Sequence, residues 1–285
     1  RDPEKTTTYG TGEMILDAVQ KGCRKFIIGI GGSATTEGGI GMLSALGYDF
    51  MDENGDRLSP VFDSLEKVVQ IKNNRVPEVL KDCHFQIACD VTNPLCGARG
   101  CVYVFGAQKG VKEEEKESMD RAMQSYAACL EKFTGKKLSE IPGTGAAGGL
   151  GFAFLWGLPN VELKPGIDIV LEAVGLTNEL KDADVVVTGE GCLDFQTAMG
   201  KVPVGVAKTA KNYNCKVIAF AGSVTEEAKN CNEKGIDAFF SILPGVCSLD
   251  EAMDTETAQK NMRNAAEQVF RLILACGKEK SSLHP

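Results

Sequence analysis

Two acids and a lysine carry the strongest chemical signal in this 285-residue sequence: Glu190, Asp194 and Lys201, all in the run TGEGCLDFQTAMGK at 188–201. An apolar run with three valines at 184–188 leads into it and reads as a buried strand, which puts both acids at the strand's carboxyl end. Phosphoryl transfer needs a divalent metal held by oxygen ligands and a carboxylate to orient or deprotonate the attacking hydroxyl. Glu190 and Asp194 can supply those ligands or that carboxylate, and Lys201 can offset phosphate charge. The same spacing also suits a purely structural role, in which Asp194 caps the helix that follows.

Glycine-rich runs are the second signal. GIGGSATTEGGIG at 29–41 places Gly31 and Gly32 where backbone N–H groups can approach an anion, and the hydroxyls of Ser33, Thr35 and Thr36 add donors. Between a strand and a helix, such a loop is either a phosphate or carboxylate cradle or a tight turn. No Gly-Lys-Ser/Thr follows, so it is not a Walker A loop, and it matches the dinucleotide fingerprint incompletely. A nucleotide-dependent oxidoreductase is the alternative that this run alone suggests. IPGTGAAGGLG at 141–151 is a second glycine-rich loop, with Gly145, Gly148 and Gly149, and Gly189 sits in the acidic run itself.

Asp90 and Asn93 stand where a strand at 84–89 breaks into a glycine-rich stretch of twenty residues, 91–110. A connection of that length is functional or has structure of its own. Arg99, Gln108 and Lys109 lie in it. The guanidinium of Arg99 is shaped to grip a carboxylate or phosphate with two bonds, although most loop arginines are simply solvated.

The elements that must position these residues alternate between helix and strand, the pattern of α/β layers. Apolar spacing predicts helices over 12–20, 40–46 and 258–276, and one carrying Met119, Met123, Tyr126, Leu130 and Phe133. Strands are predicted at 25–30, 48–51, 84–89, 185–188, 217–221 and 238–243. The last three, separated by helices and each ending in a glycine-containing turn, read as a parallel doubly wound sheet. Ligands of such sheets bind beyond the strands' carboxyl ends. Trp156, between apolar neighbours, reads as core.

Composition narrows the function. The net charge is −8, with 39 acidic and 31 basic residues, which argues against a nucleic-acid-binding surface. No apolar stretch is long enough to span a bilayer. Eleven cysteines without paired C-x-x-C spacing, and only His84 and His284, indicate neither zinc nor a disulfide framework. Reduced, mostly buried thiols and the absence of a secretory signal pattern after Arg1 lead us to expect a cytoplasmic protein.

Taken together, the runs TTTYGTGE, IGIGGSATTEGGIGML, ACDVTNPLCGARGCVYVFGAQKG, PGTGAAGGLG, LKPGIDIVLEAVGL, ADVVVTGEGCLDFQTAMGKVPVGVAK and AFAGSV resemble, in order, the bacterial glycerate kinase family, the type that makes 2-phosphoglycerate. The resemblance runs from about residue 1 to 276. It implies two α/β domains with the active site in the cleft between them: residues 1–178 as an inserted domain, 179–278 as the C-terminal part of a Rossmann-like domain, and 279–285 as a polar tail. It also implies ATP and Mg²⁺, and D-glycerate as a small-molecule substrate. On that reading Asp194 is the first choice for general base, with Glu190 or Asp194 on the metal. Asp90, with Asn93 behind it, takes the substrate's other hydroxyl, and Ser33 and Arg99 its carboxylate. The glycines Gly31, Gly32, Gly145, Gly148, Gly149 and Gly189, with Thr35, meet phosphates or nucleotide. Two runs seen in the family, Asp-Ser-Phe-Lys-Gly-Ser and Ala-Asp-Gly-Gly-Glu-Gly, are absent here. The expectation is therefore a chain lacking the usual N-terminal quarter, and a catalytically inactive fragment is the alternative function.

Overall fold

The computed structural model describes residues 2–278; the expected polar tail at 279–285, with His284, lies outside the described residues. The chain divides into two compact units at Ile169/Val170, where the sequence reading set its boundary at 178/179.

In the first unit the chain order is α1 (Tyr9–Gln20), β1 (Lys25–Gly29), α2 (Ile40–Ala45), β2 (Asp49–Met51), β3 (Gln70–Lys72), β4 (His84–Ala88), α3 (Cys101–Lys109), α4 (Lys116–Thr134), α5 (Ala146–Gly157) and β5 (Val161–Lys164). Strands β1, β4 and β5 form one parallel sheet in the order β1-β4-β5, with Ile28 opposite Ile87 and Ile87 opposite Leu163. Strands β2 and β3 pair separately as an antiparallel ribbon. The core gathers Phe85 and Ile87 from β4, Phe152 and Phe154 from α5, and Met123, Tyr126 and Leu130 from α4, all fully buried. Burying side chains of this size stabilises by roughly 1.5–3 kcal/mol each. Trp156 is also core, its indole N–H donating to Leu130 O at 2.7 Å.

The twenty-residue stretch after β4 proves to have structure of its own. Gly100 is extended before α3, and Gly110, in the left-handed region at φ 109°, ends the helix. Gln108 and Lys109 therefore sit in a helical last turn and not in a loop. The helix gave no clear stripe because its apolar residues face different ways: Cys101 and Val102 are buried while Val104 is half-exposed.

The second unit contains α6 (Gly166–Ala173) at the division, then α7 (Leu176–Glu179), β6 (Val185–Leu193), α8 (Phe195–Ala198), α9 (Val202–Lys211), β7 (Lys216–Val224), β8 (Ala238–Ser241), α10 (Leu249–Met253) and α11 (Thr255–Lys278). Its sheet is parallel in the order β6-β7-β8. Strand β7 shows why helices cover both faces: Val217, Ala219 and Ala221 pack with Val204, Ala207 and Ala210 of α9, while Ile218 and Phe220 pack with Val269 of α11. Residues of period two thus serve two layers.

Strand β6 corrects the expectation of a buried strand ending before Glu190. It runs on to Leu193, with Glu190 opposite Ala221, and its residues are mostly half-exposed. Among the described residues it pairs only with β7, so it is the sheet's edge, and Val187 stays 49% exposed. The eleven cysteines are free thiols; Cys23, Cys247 and Cys276 are exposed, more than the sequence led us to expect. Among the described residues no helix is long and apolar enough to cross a membrane.

Candidate active site

At the carboxyl ends of the neighbouring strands β1 and β4 lies a cavity of about 450 Å³, within the range of small-molecule sites. Gly31, Gly32 and Ser33 line it from the loop after β1, and Asp90 and Val91 from the loop after β4. Phe105, Gln108 and Lys109 of α3 and Ala146 and Ala147 of α5 complete the wall. A Cβ added at Gly31 or Gly32 would meet nothing within 4 Å, so open space lies beside that backbone. Asp90 is fixed from outside: Gly166 N–H donates to its Oδ1 at 2.8 Å, and among the described residues Oδ2 accepts no such bond.

The loop after β1 is held by buried polar anchors. Thr36 and Glu37 are fully buried. Glu37 accepts the Thr8 N–H at 2.7 Å, and Thr8 Oγ1 in turn accepts the Met42 N–H at 2.8 Å. Burial pushes the Glu37 carboxyl above its ordinary range, the backbone bonds opposing this. Lys109 Nζ donates to Thr35 O at 2.6 Å and so ties α3 to the same loop.

The second glycine loop is a packing element. Gly38 N–H donates to Gly148 O at 2.9 Å, joining the two loops. A Cβ on Gly148 would stand 2.1 Å from Thr35 O, and one on Gly149 2.7 Å from Gly38 Cα. Both glycines have positive φ, as does Ala147 at 53° beside the cavity. Gly145 likewise abuts Pro94 O. These three glycines, expected to meet phosphates, are where one loop presses on another; Ala146 and Ala147 of that run reach the cavity instead. Thr35 contributes its carbonyl to Lys109.

Asn93 and Arg99 do not line this cavity. Asn93 donates its side-chain N–H to Arg99 O at 2.8 Å, and its own carbonyl accepts Gly143 and Gly145 N–H groups. The Arg99 side chain is exposed. Cys89, which does line the cavity, has a thiol pushed up by burial and is not poised as a nucleophile.

In the second unit Glu190 and Asp194 converge on one hydroxyl. Thr197 Oγ1 donates to Glu190 Oε1 and lies 3.3 Å from Asp194 Oδ1. Asp194 is also the N-cap of α8, with Thr197 N–H donating to its Oδ1 at 3.0 Å and its own N–H donating to Thr197 Oγ1 at 3.2 Å. The capping and chemical readings therefore coexist in one residue. The cap holds the Asp194 carboxyl below its ordinary range, with Lys201, whose Nζ is 3.7 Å away, adding to the effect. Gly189 is a strand residue whose Cβ would strike Phe220 O at 2.3 Å, which makes it a strand-packing glycine. The oxygen donors of Glu190 and Asp194 suit Mg²⁺, which takes one or two carboxylates and completes its shell with phosphates and water. Among the described residues no cluster of three or more His, Cys, Asp or Glu side chains could hold a metal by itself.

Sequence reading singled out Ser33, Asp90 and the paired acids but gave Lys109 no role. The signal for it was present in Gly100 and Gly110, which bracket a helix ending on Gln108 and Lys109.

These features define an α/β protein with an anion-suited cavity at the ends of parallel strands and a carboxylate pair on a second sheet. Residues 1–274 match the glycerate kinase family, and the chain belongs to that family. It is 44% identical to a glycerate kinase of Halalkalibacterium halodurans over 89% of this chain and 66% of that protein. It is 45% identical to the glycerate 2-kinase of Escherichia coli K12 over 88% of this chain and 66% of that protein. The crystal structure of a glycerate kinase 2 candidate from Salmonella typhimurium LT2 superposes with a TM-score of 0.83 at 42% identity, covering 98% of this chain and 72% of that one. The chain thus spans about two thirds of the length of these curated relatives.

Proposed function

We propose that this chain transfers the terminal phosphoryl group of ATP to D-glycerate, giving 2-phosphoglycerate. The observation that carries the reading is the convergence of Glu190 and Asp194 on Thr197, with Lys201 beside Asp194, in a chain of this family. Glycerate occupies the cavity of the first unit. The Gly31 and Gly32 backbone and the Ser33 hydroxyl offer donors to its oxygens, and the free oxygen of Asp90 accepts from a hydroxyl. Glu190 and Asp194 would hold Mg²⁺, which would supply charge neutralisation for the phosphates. Lys201 offsets further phosphate charge. An Asp held below its ordinary range is a poor proton acceptor near neutral pH. Asp194 therefore serves better as a standing negative charge that orients than as the general base. The reaction is placed in the cytoplasm, where ATP is plentiful.

The test is D-glycerate-dependent ADP release from Mg·ATP by the 285-residue chain. Turnover requiring both substrates is expected. No turnover here, and none with a full-length relative's upstream sequence joined to it, would overturn the kinase reading.

A second reading has one observation in its favour. Strand β6 is an unpaired edge among the described residues, and Phe270, Leu272 and Leu274 of α11 are exposed. Unpaired strand edges and exposed apolar faces recruit partners. On this reading the chain folds but is inactive until the edge is covered. Concentration-dependent association together with absent turnover is its signature, and an active monomer would dispose of it.

A further inference from the structure

Lys109 is 3% exposed and lines the cavity of the first unit. An ammonium has three donors. One goes to Thr35 O, and among the described residues no carboxylate lies within ion-pair distance of Nζ. A buried ammonium without a counter-charge is costly, and proteins normally pair it. The carboxylate of Glu37 favours the ammonium through space but is itself pushed toward its neutral form by burial. Desolvation lowers the Lys109 pKa, the mark of a cation missing a partner.

The cavity also holds a carboxylate, Asp90, which is not paired with Lys109. Among the described residues, Lys109 thus brings to the lining a cation with donors to spare, and Asp90 an anion with an acceptor to spare. A small hydroxy acid satisfies both at once, with its carboxylate toward the ammonium and a hydroxyl toward Asp90. An uncharged polyol satisfies only the second. Arg99, the alternative cation, is exposed and does not line the cavity.

We infer that Lys109 pairs with the substrate's carboxylate and thereby selects a hydroxy acid over its uncharged analogues. The inference rests on the proposed binding of D-glycerate in this cavity. The pairing supplies the counter-charge the lysine lacks, and the Thr35 bond holds its ammonium against the loop that carries Gly31, Gly32 and Ser33.

Calorimetric titration of the full chain with D-glycerate and with D-glyceramide tests it, in wild type, Lys109→Met and Lys109→Arg. Charged hydrogen bonds are worth enough that Lys109→Met should weaken D-glycerate about 30-fold or more while leaving D-glyceramide unchanged. Lys109→Arg should keep part of the preference for the acid. Unchanged D-glycerate affinity in Lys109→Met, or equal weakening of both ligands, would overturn the inference and leave the proposed substrate standing. If Lys109→Met does not fold, the wild-type comparison decides: a preference for the acid of about 10-fold or more is expected, and equal affinities refute the pairing. A wild-type chain that binds neither ligand would sink the proposed substrate, and this inference with it.

Discussion

The two candidate sites are held in place by opposite means. The cavity of the first unit rests on buried structure: Glu37 and Thr36 are fully enclosed, and two glycine loops press against each other through Gly148, Gly149 and Gly38. The acids of the second unit are fixed locally, by one capping box on a half-exposed edge strand. A packed scaffold fixes a small ligand's position and discriminates its shape. The capped Asp194, held below its ordinary range, stays partly open to solvent beside the edge strand. On this contrast, substitutions in the first unit should act through folding and glycerate affinity, and those in the second through turnover.

The largest expected effect is structural. Gly148→Ala puts a methyl 2.1 Å from Thr35 O at a positive φ, so both overlap and backbone strain oppose it. A loss of about 3 kcal/mol or more is expected in denaturant unfolding of the first unit. A mild effect would show that the loops can move apart and that the cavity is not rigidly built.

Next, Thr197→Val removes the hydroxyl shared by Glu190 and Asp194. Turnover should fall about 10-fold as the carboxylates lose their common anchor, with glycerate KM unchanged. A rise in KM instead would place this pair in glycerate binding and erase the contrast.

Smaller still is a pH effect. The folded Glu37 carboxyl titrates above its unfolded value, so between the two the native state holds the extra proton. Stability contributed by this group is present below the unfolded value of 4.5 and is lost as pH rises through the folded one. Glu37→Gln should therefore flatten the decline in melting temperature as pH rises above the unfolded value. An unchanged slope would mean that the anchor is ionised throughout.

The smallest effect concerns Ala147, a non-glycine residue at φ 53° on the cavity wall. Ala147→Gly should relieve that conformation and stabilise by at most about 1 kcal/mol, read by the same unfolding curves. A clear destabilisation would mean that the Ala147 methyl is itself needed for packing.

How much of this was legible in the sequence follows the same contrast. The acids at 190 and 194 and the capping role of Asp194 could be read directly, because both depend on neighbours a few residues away. The parallel strands were legible for the same reason, as short apolar runs between glycine turns. The length of β6 was not, since its extension through Gly189 and Gly191 is set by pairing with β7. The first unit's cavity was only half legible. Ser33 and Asp90 follow strands and could be named, but Lys109 reaches the cavity only because a helix without an apolar stripe packs there. Gly145, Gly148 and Gly149 look in sequence like phosphate binders, and only the opposing loop shows that packing requires them.

The most direct test of the division between the two units is a kinetic comparison of wild type with Asp194→Asn, measuring D-glycerate KM and kcat with Mg·ATP saturating. A fall in kcat of about 100-fold or more is expected, with D-glycerate KM essentially unchanged. Near-normal kcat, or a loss carried by KM alone, would contradict it.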